Sequence, residues 1–431
     1  MKIFLDSIGC RLNQSELEIF ARQFRAAGHN LVDTPTKADV VIINTCTVTA
    51  AADSDSRQKI RKMVRAGAKE VIVTGCWSSL HPDKALALPG VSRVIHNLEK
   101  DNLVPKILDI PLEQFDLEPI ARLPIPGARL RTRAFIKVQD GCNSRCTFCI
   151  TTIARGAGRS RPVKDVLSDI YAALKDNTNG KAVKEVVLTG VHLGSWGQDL
   201  SPQHPLRQLI STILRETDIP RLRLSSLEPW DIDDDFFTLW EDPRLCRQIH
   251  LPLQSGCEAT LRRMARKTTP NDYAHLVNLA RDICPEIAVT TDVITGFPGE
   301  SVEEFETSLS FVRRMKFAGG HVFTYSERPG TAAVKMSDQV YHPIRKTRNA
   351  RMRAVLAESA QEYRTRFLNK TLSVLWESAI EIIPQGWQLK GLTDNYLRIS
   401  ALSQNHYQNQ VTPVRLTMLT KDGLHGEIVQ S

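Results

Sequence analysis

Three cysteines, Cys142, Cys146 and Cys149, stand within eight residues in the stretch DGCNSRCTFCI. Thiolates hold iron–sulfur clusters, and a [4Fe–4S] cube that only carries electrons takes four protein ligands. Three thiols in one loop with no fourth close by leave one iron open to a substrate or cofactor. Zinc is the other chemistry such a loop offers, but a structural zinc site needs a fourth Cys or His, commonly from a second CxxC pair. His192 or His250 would have to supply it, and spacings of three and two residues depart from the paired pattern.

A second set is spread out in sequence. Cys10 follows MKIFLDSIG, Cys46 ends DVVIINTC and Cys76 ends EVIVTGC. A dinucleotide-binding turn would need GxGxxG after the first strand, yet Gly9 is followed by Cys10, Arg11 and Leu12. Each of the three thiols closes a strand-like apolar run, and in a parallel sheet the strand ends form one edge where ligands bind. The bland alternative is that each is a small apolar residue at a strand end. Three strands ending alike favour a shared site, a second cluster with an open iron. Cys246, Cys257 and Cys284 share no spacing and read as structural.

These thiols need elements to position them. Residues 1–125 alternate strand-like and helix-like segments: KIFLDSI, the 3.6-period SELEIFARQFRAAG, DVVIINT, a polar helix from about Asp53 to Ala66, and EVIVTG. Such alternation means βαβ units and a parallel sheet. Residues 111–133 carry four prolines without a period and read as a linker. From 126 to 366 the alternation resumes at RAFIKVQ, EVVLTGV, RLRLSSL, QIHLPLQ, IAVTTDVITG and HVFTYS. Six βα units make a partial (β/α)6 barrel, two short of eight and open along one side, with the Cys142 loop at its C-terminal mouth. A basic helix over 344–368 leads into a tail, 367–431, whose short strands and turns predict a small β-barrel. The fold class is α/β.

Composition narrows the setting. Of 431 residues, 42% are hydrophobic and 24% charged, an ordinary globular balance, and 56 Lys and Arg against 48 Asp and Glu give +8, which suits an anionic partner only where it is clustered. Nine cysteines without a secretory leader argue for free thiols in a reducing compartment, so the expectation is a cytoplasmic protein without a membrane span.

CxxxCxxC after the first strand of a partial barrel resembles the radical S-adenosylmethionine superfamily, in which the open iron is chelated by the methionine moiety and a 5′-deoxyadenosyl radical results. SIGCRLNQSE, NTCTVTAAADSDSRQKIR and VTGC resemble the N-terminal domain of the methylthiotransferases, and the tail resembles their TRAM domain, an RNA-binding β-barrel. Together these cover nearly the whole chain. The resemblance implies two [4Fe–4S] clusters and S-adenosyl-L-methionine: Cys142, Cys146 and Cys149 hold the radical cluster, and Cys10, Cys46 and Cys76 hold an auxiliary cluster that carries the sulfur. It also places S-adenosylmethionine contacts at the strand-end residues Thr189, Gly190, Ser226, Glu228, Gln254 and Asp292.

GCRLNQSE, NTCTVT, LTGVHLGSWGQDL and RLSSLEP look most like the subgroup that acts on N6-threonylcarbamoyladenosine in tRNA. An enzyme for isopentenyladenosine, or an iron–sulfur protein that only binds tRNA, are the rivals. The implied partners are a tRNA anticodon stem-loop and a low-potential electron donor, with neither membrane nor DNA expected. Arg155, Arg159, Arg161 and Lys164, just after the cluster loop, are candidate phosphate contacts, as is the run of eight Lys or Arg from Arg345 to Lys370.

Overall fold

The computed structural model describes residues 1–119, 123, 125–126, 132–175, 182–384 and 386–429, so most of the expected linker lies outside the described residues. The first strands are β1 (Lys2–Ser7), β2 (Asn30–Leu31), β3 (Val40–Thr45), β4 (Val71–Gly75) and β5 (Val91–Ile95). They form one parallel sheet in the order β2-β1-β3-β4-β5. β3 reads VVIINT and is buried at every residue, as a central strand with both faces covered requires.

Helix α1 (Arg11–Ala26) sets Leu17, Phe20 and Phe24 against Ile3 and Ile42 on one face. Helix α2 (Ala50–Arg65) sets Ile60 and Met63 against Val41, Ile43 and Val73 on the other. It starts three residues before the expected Asp53 because the Thr49 side chain accepts from Ala52 N–H and caps it. Three short helices complete this part: α3 (Cys76–Leu80), which the sequence pattern did not reveal, α4 (Pro82–Leu86) and α5 (Leu103–Leu108).

The next strands are β6 (Arg133–Lys137), the paired β7 (Gln139–Asp140) and β8 (Arg159–Ser160), β9 (Glu185–Thr189), β10 (Leu222–Leu224), β11 (Gln248–His250), β12 (Ala288–Thr295) and β13 (Gly319–Thr324). β6, β9 and β10 pair in parallel, as do β11, β12 and β13. Parallel bridges Leu222↔Leu245 and Ser226↔His250 join the two groups into the expected six-stranded partial barrel. Among the described residues β6 and β13 pair with one barrel strand each, which leaves the barrel open between them.

Helices α6 (Thr151–Arg155), α7 (Val163–Leu174), α8 (Leu206–Glu216), α9 (Glu258–Arg263), α10 (Pro270–Ile283), α11 (Val302–Met315) and α12 (His342–Thr365) accompany it. Outward residues such as Ile136, Val186, Leu188, Val289 and Val293 pack with Ile210, Val277 and Phe305 in the largest core. Each fully buried aliphatic side chain there contributes about 1.5–3 kcal/mol. Ser301 and Thr269 begin α11 and α10 with reciprocal capping boxes.

The tail forms a closed barrel of β14 (Thr371–Ile382), β15 (Gly386–Thr393), β16 (Arg398–Ser403), β17 (Val411–Leu419) and β18 (Leu424–Ile428), in the order β14-β15-β16-β18-β17. Trp376, Leu389, Val414 and Leu416 fill it, joined by Tyr363 and Phe367 from the end of α12. Its β15–β16 turn enters the foot of the α/β barrel. The fully buried Arg223 pairs with Glu185 at 2.7 Å and donates to the carbonyls of Thr393 and Asp394. No helix is long and apolar enough to cross a membrane.

Candidate active site

The register of the first sheet brings the ends of β1, β3 and β4 to one edge, with Ser7 opposite Asn44 and Thr45 opposite Gly75. Cys46 and Cys76 follow directly on those ends, and Cys10 is the N-cap of α1. Two glycines make this approach possible. At Gly9, with φ +107°, a Cβ would lie 2.7 Å from Cys46 Sγ. At Gly75, with φ +101°, it would lie 2.2 Å from the carbonyl oxygen of Thr45.

Cys46 and Cys76 are buried, while Cys10 keeps an open side. Burial, reinforced by the neighbouring Cys10 and Cys76 sulfurs, pushes the Cys46 thiol up to about 11. Cys10 Sγ stands 3.8 Å from Asn13 Oδ1, and Cys76 Sγ receives Asn97 Nδ2–H at 3.6 Å and Arg155 Nε–H at 3.3 Å. Arg155 also donates to Asn13 Oδ1 at 2.8 Å, so one guanidinium links the surroundings of Cys10 and Cys76.

The second trio lies in the loop between β7 and α6. Gly141, at φ +71°, could not carry a Cβ, which would meet Ala157 O at 1.9 Å. The loop is pinned by Cys142 N–H to Gly156 O, Thr147 N–H to Met264 O and Ala333 N–H to Thr147 O. Cys142 Sγ is 3.5 Å from His192 Nδ1 and accepts from Ser144 N–H at 3.3 Å. Burial acts to raise the Cys142 thiol, but these two hydrogen bonds bring it below its ordinary value. Burial pushes Cys146 up to about 11, against the pull of Arg266, and also raises Cys149.

His192 was considered above as a zinc ligand; in the structure its Nε2 lies 2.5 Å from Asp231 Oδ2. Burial alone would depress this imidazole, but Asp231 and Cys142 outweigh it and lift it to about 10. The signal for His192 was its place in LTGVHLG, just past a strand end, whereas nothing local in the sequence marked Asp231 as its partner.

Among the described residues no three His, Cys, Asp or Glu side chains close on a point as a single ion would need. A cube of iron and sulfide is larger than an ion and takes cysteines at its corners, so thiols set round a space fit it. The Gly9 approach, the N–H groups aimed at Cys76 and Cys142, and the all-thiol donor sets agree with that group.

The strand-end residues differ in burial and in local partners. Thr189 is buried at the end of β9, and a Cβ on Gly190 would touch Gln139 Oε1 at 3.0 Å. Ser226 is exposed and bridges to His250. Gln254, with φ +69°, bridges to Val293. The Glu228 carboxylate is engaged by Arg266 at 2.6 Å, whose guanidinium lies over Trp230 at 4.4 Å. Asp292 shares the inner face of β12 with Thr290 and lies 3.4 Å from His250 Nε2, while its Oδ1 is buried without a hydrogen-bond partner.

Two candidate phosphate contacts are corrected. Arg155 is 2% exposed and held by Glu16 and Asp140, and Arg161, 13% exposed at its side chain, pairs with Asp169 and Glu118. Neither presents its charge to solvent, because each is held between one acid near in sequence, Asp140 or Asp169, and one far from it, Glu16 or Glu118. Arg159 is 38% exposed at its side chain and Lys164 is open. In the α12 run Arg348 is buried on Glu300, whereas Arg351, on Glu306, and Lys370, on Glu286, keep about half of their side chains exposed. Of that run, Lys346, Arg351, Arg353, Arg366 and Lys370 are exposed.

The comparisons with known proteins agree with this arrangement. Residues 136–312 match the model of the radical SAM superfamily and residues 2–96 that of the uncharacterized protein family UPF0004. A solved radical S-adenosylmethionine methyltransferase, TsrM from Kitasatospora setae, shares the fold with TM-score 0.59 and 15% identity over 77% of this chain and 75% of that one. Barrel and thiol loop therefore define a protein of the radical S-adenosylmethionine class. Relatives extend the match to the whole length. The threonylcarbamoyladenosine tRNA methylthiotransferase MtaB of Bacillus subtilis (strain 168) is 35% identical over 91% of this chain and 88% of its own. That of Aquifex aeolicus (strain VF5) is 32% identical over 93% and 96%. The tRNA-2-methylthio-N(6)-dimethylallyladenosine synthase of Anoxybacillus flavithermus is 29% identical over 100% and 83%. The chain belongs to the radical S-adenosylmethionine methylthiotransferase family.

Proposed function

We propose that the chain converts N6-threonylcarbamoyladenosine beside the tRNA anticodon to its 2-methylthio derivative. The observation that carries this is the near-full-length likeness to relatives named for threonylcarbamoyladenosine, which exceeds the likeness to the dimethylallyladenosine synthase. Cys142, Cys146 and Cys149 would hold one [4Fe–4S] cluster with S-adenosylmethionine at its open iron, and Cys10, Cys46 and Cys76 the other. Once bound, these groups supply the 5′-deoxyadenosyl radical and the sulfur for transfer, with electrons from a low-potential donor.

The chain's own residues position the reactants. Asp292 offers its unpartnered oxygen to an amino or hydroxyl group of S-adenosylmethionine, beside Thr189, Gly190, Ser226 and Gln254. Arg266 fixes Glu228 in one orientation. An anticodon loop is single-stranded, so bringing one base to the mouth costs less than extrusion from a duplex. Arg159 and Lys164 would meet its phosphates, and the tail barrel would hold the stem. The setting is the cytoplasm, where tRNA is modified.

Mass spectrometry of tRNA nucleosides from a deletion strain tests this. The expected result is loss of 2-methylthio-N6-threonylcarbamoyladenosine with the unmodified precursor retained. Loss of the isopentenyl derivative instead would overturn the assignment.

A further inference from the structure

Arg155 sits at the meeting point of the two thiol sets. It ends α6, six residues beyond Cys149, and so belongs to the barrel-mouth segment, yet its side chain enters the N-terminal sheet edge. Nη1 donates to Glu16 at 2.9 Å and to Asp140 at 2.8 Å, Nη2 to Asn13 at 2.8 Å, and Nε to Cys76 Sγ at 3.3 Å. Four of its five N–H groups are thus directed, and the planar fork cannot turn without breaking several bonds. Glu16 in turn receives the buried Lys100 at 2.9 Å, and Asn44 joins the same group. A salt bridge alone would not require the Nε–H to point at sulfur.

We propose that Arg155 is a positioning residue that fixes a positive charge on the Cys76 sulfur and thereby raises the reduction potential of the auxiliary cluster. This rests on the reading that Cys10, Cys46 and Cys76 hold that cluster. Reduction adds one electron from the donor to the cluster and makes it more negative. A charge-assisted N–H···S contact favours the more negative form, and hydrogen bonds to sulfur and local net charge are the levers that set such potentials. Asn97 Nδ2–H adds a neutral donor on the same sulfur. Because the cation comes from the segment that carries Cys149, the state of the auxiliary site depends on the docking of the radical loop.

The full chain with Cys142, Cys146 and Cys149 replaced by Ala, reconstituted with iron and sulfide, isolates the auxiliary site. Its midpoint potential is read by dithionite titration followed by electron paramagnetic resonance. Arg155→Gln, which keeps a donor and removes the charge, is expected to shift the midpoint downward, Arg155→Lys to shift it less, and Arg161→Gln, another engaged arginine remote from sulfur, to leave it in place. An iron-loaded Arg155→Gln chain with the parent midpoint overturns the inference while leaving the cluster assignment intact. A parent chain that takes up no iron defeats the cluster assignment and this inference with it. Where the Arg155 variants fail to load, the parent labelled with 15N-arginine decides: a 15N hyperfine coupling on the reduced cluster is expected, and its absence overturns the inference.

Discussion

Arg328, in the loop after β13, places Nη2 3.0 Å from each carboxylate oxygen of Asp53 on α2. The same nitrogen reaches the Thr47 carbonyl, one residue past Cys46. The loop after the barrel's free-edge strand is therefore tied to the flank of an auxiliary thiol, 281 residues earlier in the chain. Arg328 and Asp53 are largely buried, at 7% and 18% side-chain exposure.

Removing Arg328 leaves the Asp53 carboxylate with the Thr47 hydroxyl but without its cation, a loss of about 3 kcal/mol. Arg328→Met is expected to destabilise the chain by that order and to open the seam beside Cys46. Urea denaturation measures the first, and faster amide exchange in residues 47–53 the second. A variant with parent stability and parent exchange would show that the contact does not hold the seam.

Two clusters predict about eight irons per chain, four per cube. Replacing Cys10, Cys46 and Cys76 together by Ala is expected to halve the count, and replacing Cys142, Cys146 and Cys149 to halve it as well. Colorimetric iron analysis on anaerobically reconstituted protein checks both. Full iron in either variant would remove that trio from the metal sites.

The junction of the α/β barrel with the tail barrel carries a pH dependence of definite sign. Burial acts to raise the Asp394 carboxyl, but Arg247, 2.6 Å away, holds it below its ordinary 3.8. Glu286, also on Arg247 and on Lys370, is held below its ordinary 4.5 in spite of burial. Lowered carboxyls add stability that is complete above their unfolded values, near 4, and that fades as pH falls through their folded ones. Acid is thus expected to loosen this junction, seen as amide exchange in the tail barrel rising below about pH 4. Asp394→Asn should cost about 2 kcal/mol at neutral pH and flatten that acid response.

The strand-end thiols and the partial barrel were legible because each follows from a local rule. Apolar runs set the strands, parallel pairing gathers their ends on one edge, and Cys10, Cys46 and Cys76 close three of those runs. Arg155 was misread for the opposite reason. Its acid partner Glu16 lies 139 residues earlier, and no local pattern distinguishes an arginine that will be buried against it from one that meets phosphate. Arg348 against Glu300 is the same case on α12. The strand expected over RLRLSSL is regular only over Leu222–Leu224, although backbone pairing continues through Ser225 to Leu188 and Leu227 to His250.

The proposed phosphate contacts near the cluster loop differ in exposure. Lys164 is exposed beside the cluster loop, Arg159 is partly exposed with its guanidinium on the Arg155 and Ala157 carbonyls, and Arg161 is paired with Glu118 and Asp169. Lys164→Ala is expected to weaken tRNA binding and to reduce the slope of log affinity against log salt by roughly one. Arg161→Ala should leave the slope unchanged while lowering stability. Filter binding across a salt series distinguishes them, and equal slopes for parent and Lys164→Ala would remove Lys164 from the interface.

Gly9 and Gly28 give a matched pair. Both have positive φ, +107° and +79°, so a methyl group at either strains the backbone by about 1–2 kcal/mol. At Gly28 nothing lies within 4 Å of the added carbon, whereas at Gly9 it would meet Cys46 Cβ at 2.6 Å and Sγ at 2.7 Å. Gly28→Ala is therefore expected to lower stability modestly and keep all the iron. Gly9→Ala must move either the Cys10 loop or Cys46, separating two of the three thiols, so it should lose up to half the iron for a similar stability cost. Iron counts and urea midpoints measured side by side decide the matter: equal iron in the two variants would mean that the close approach of Gly9 to Cys46 is not what brings these thiols together.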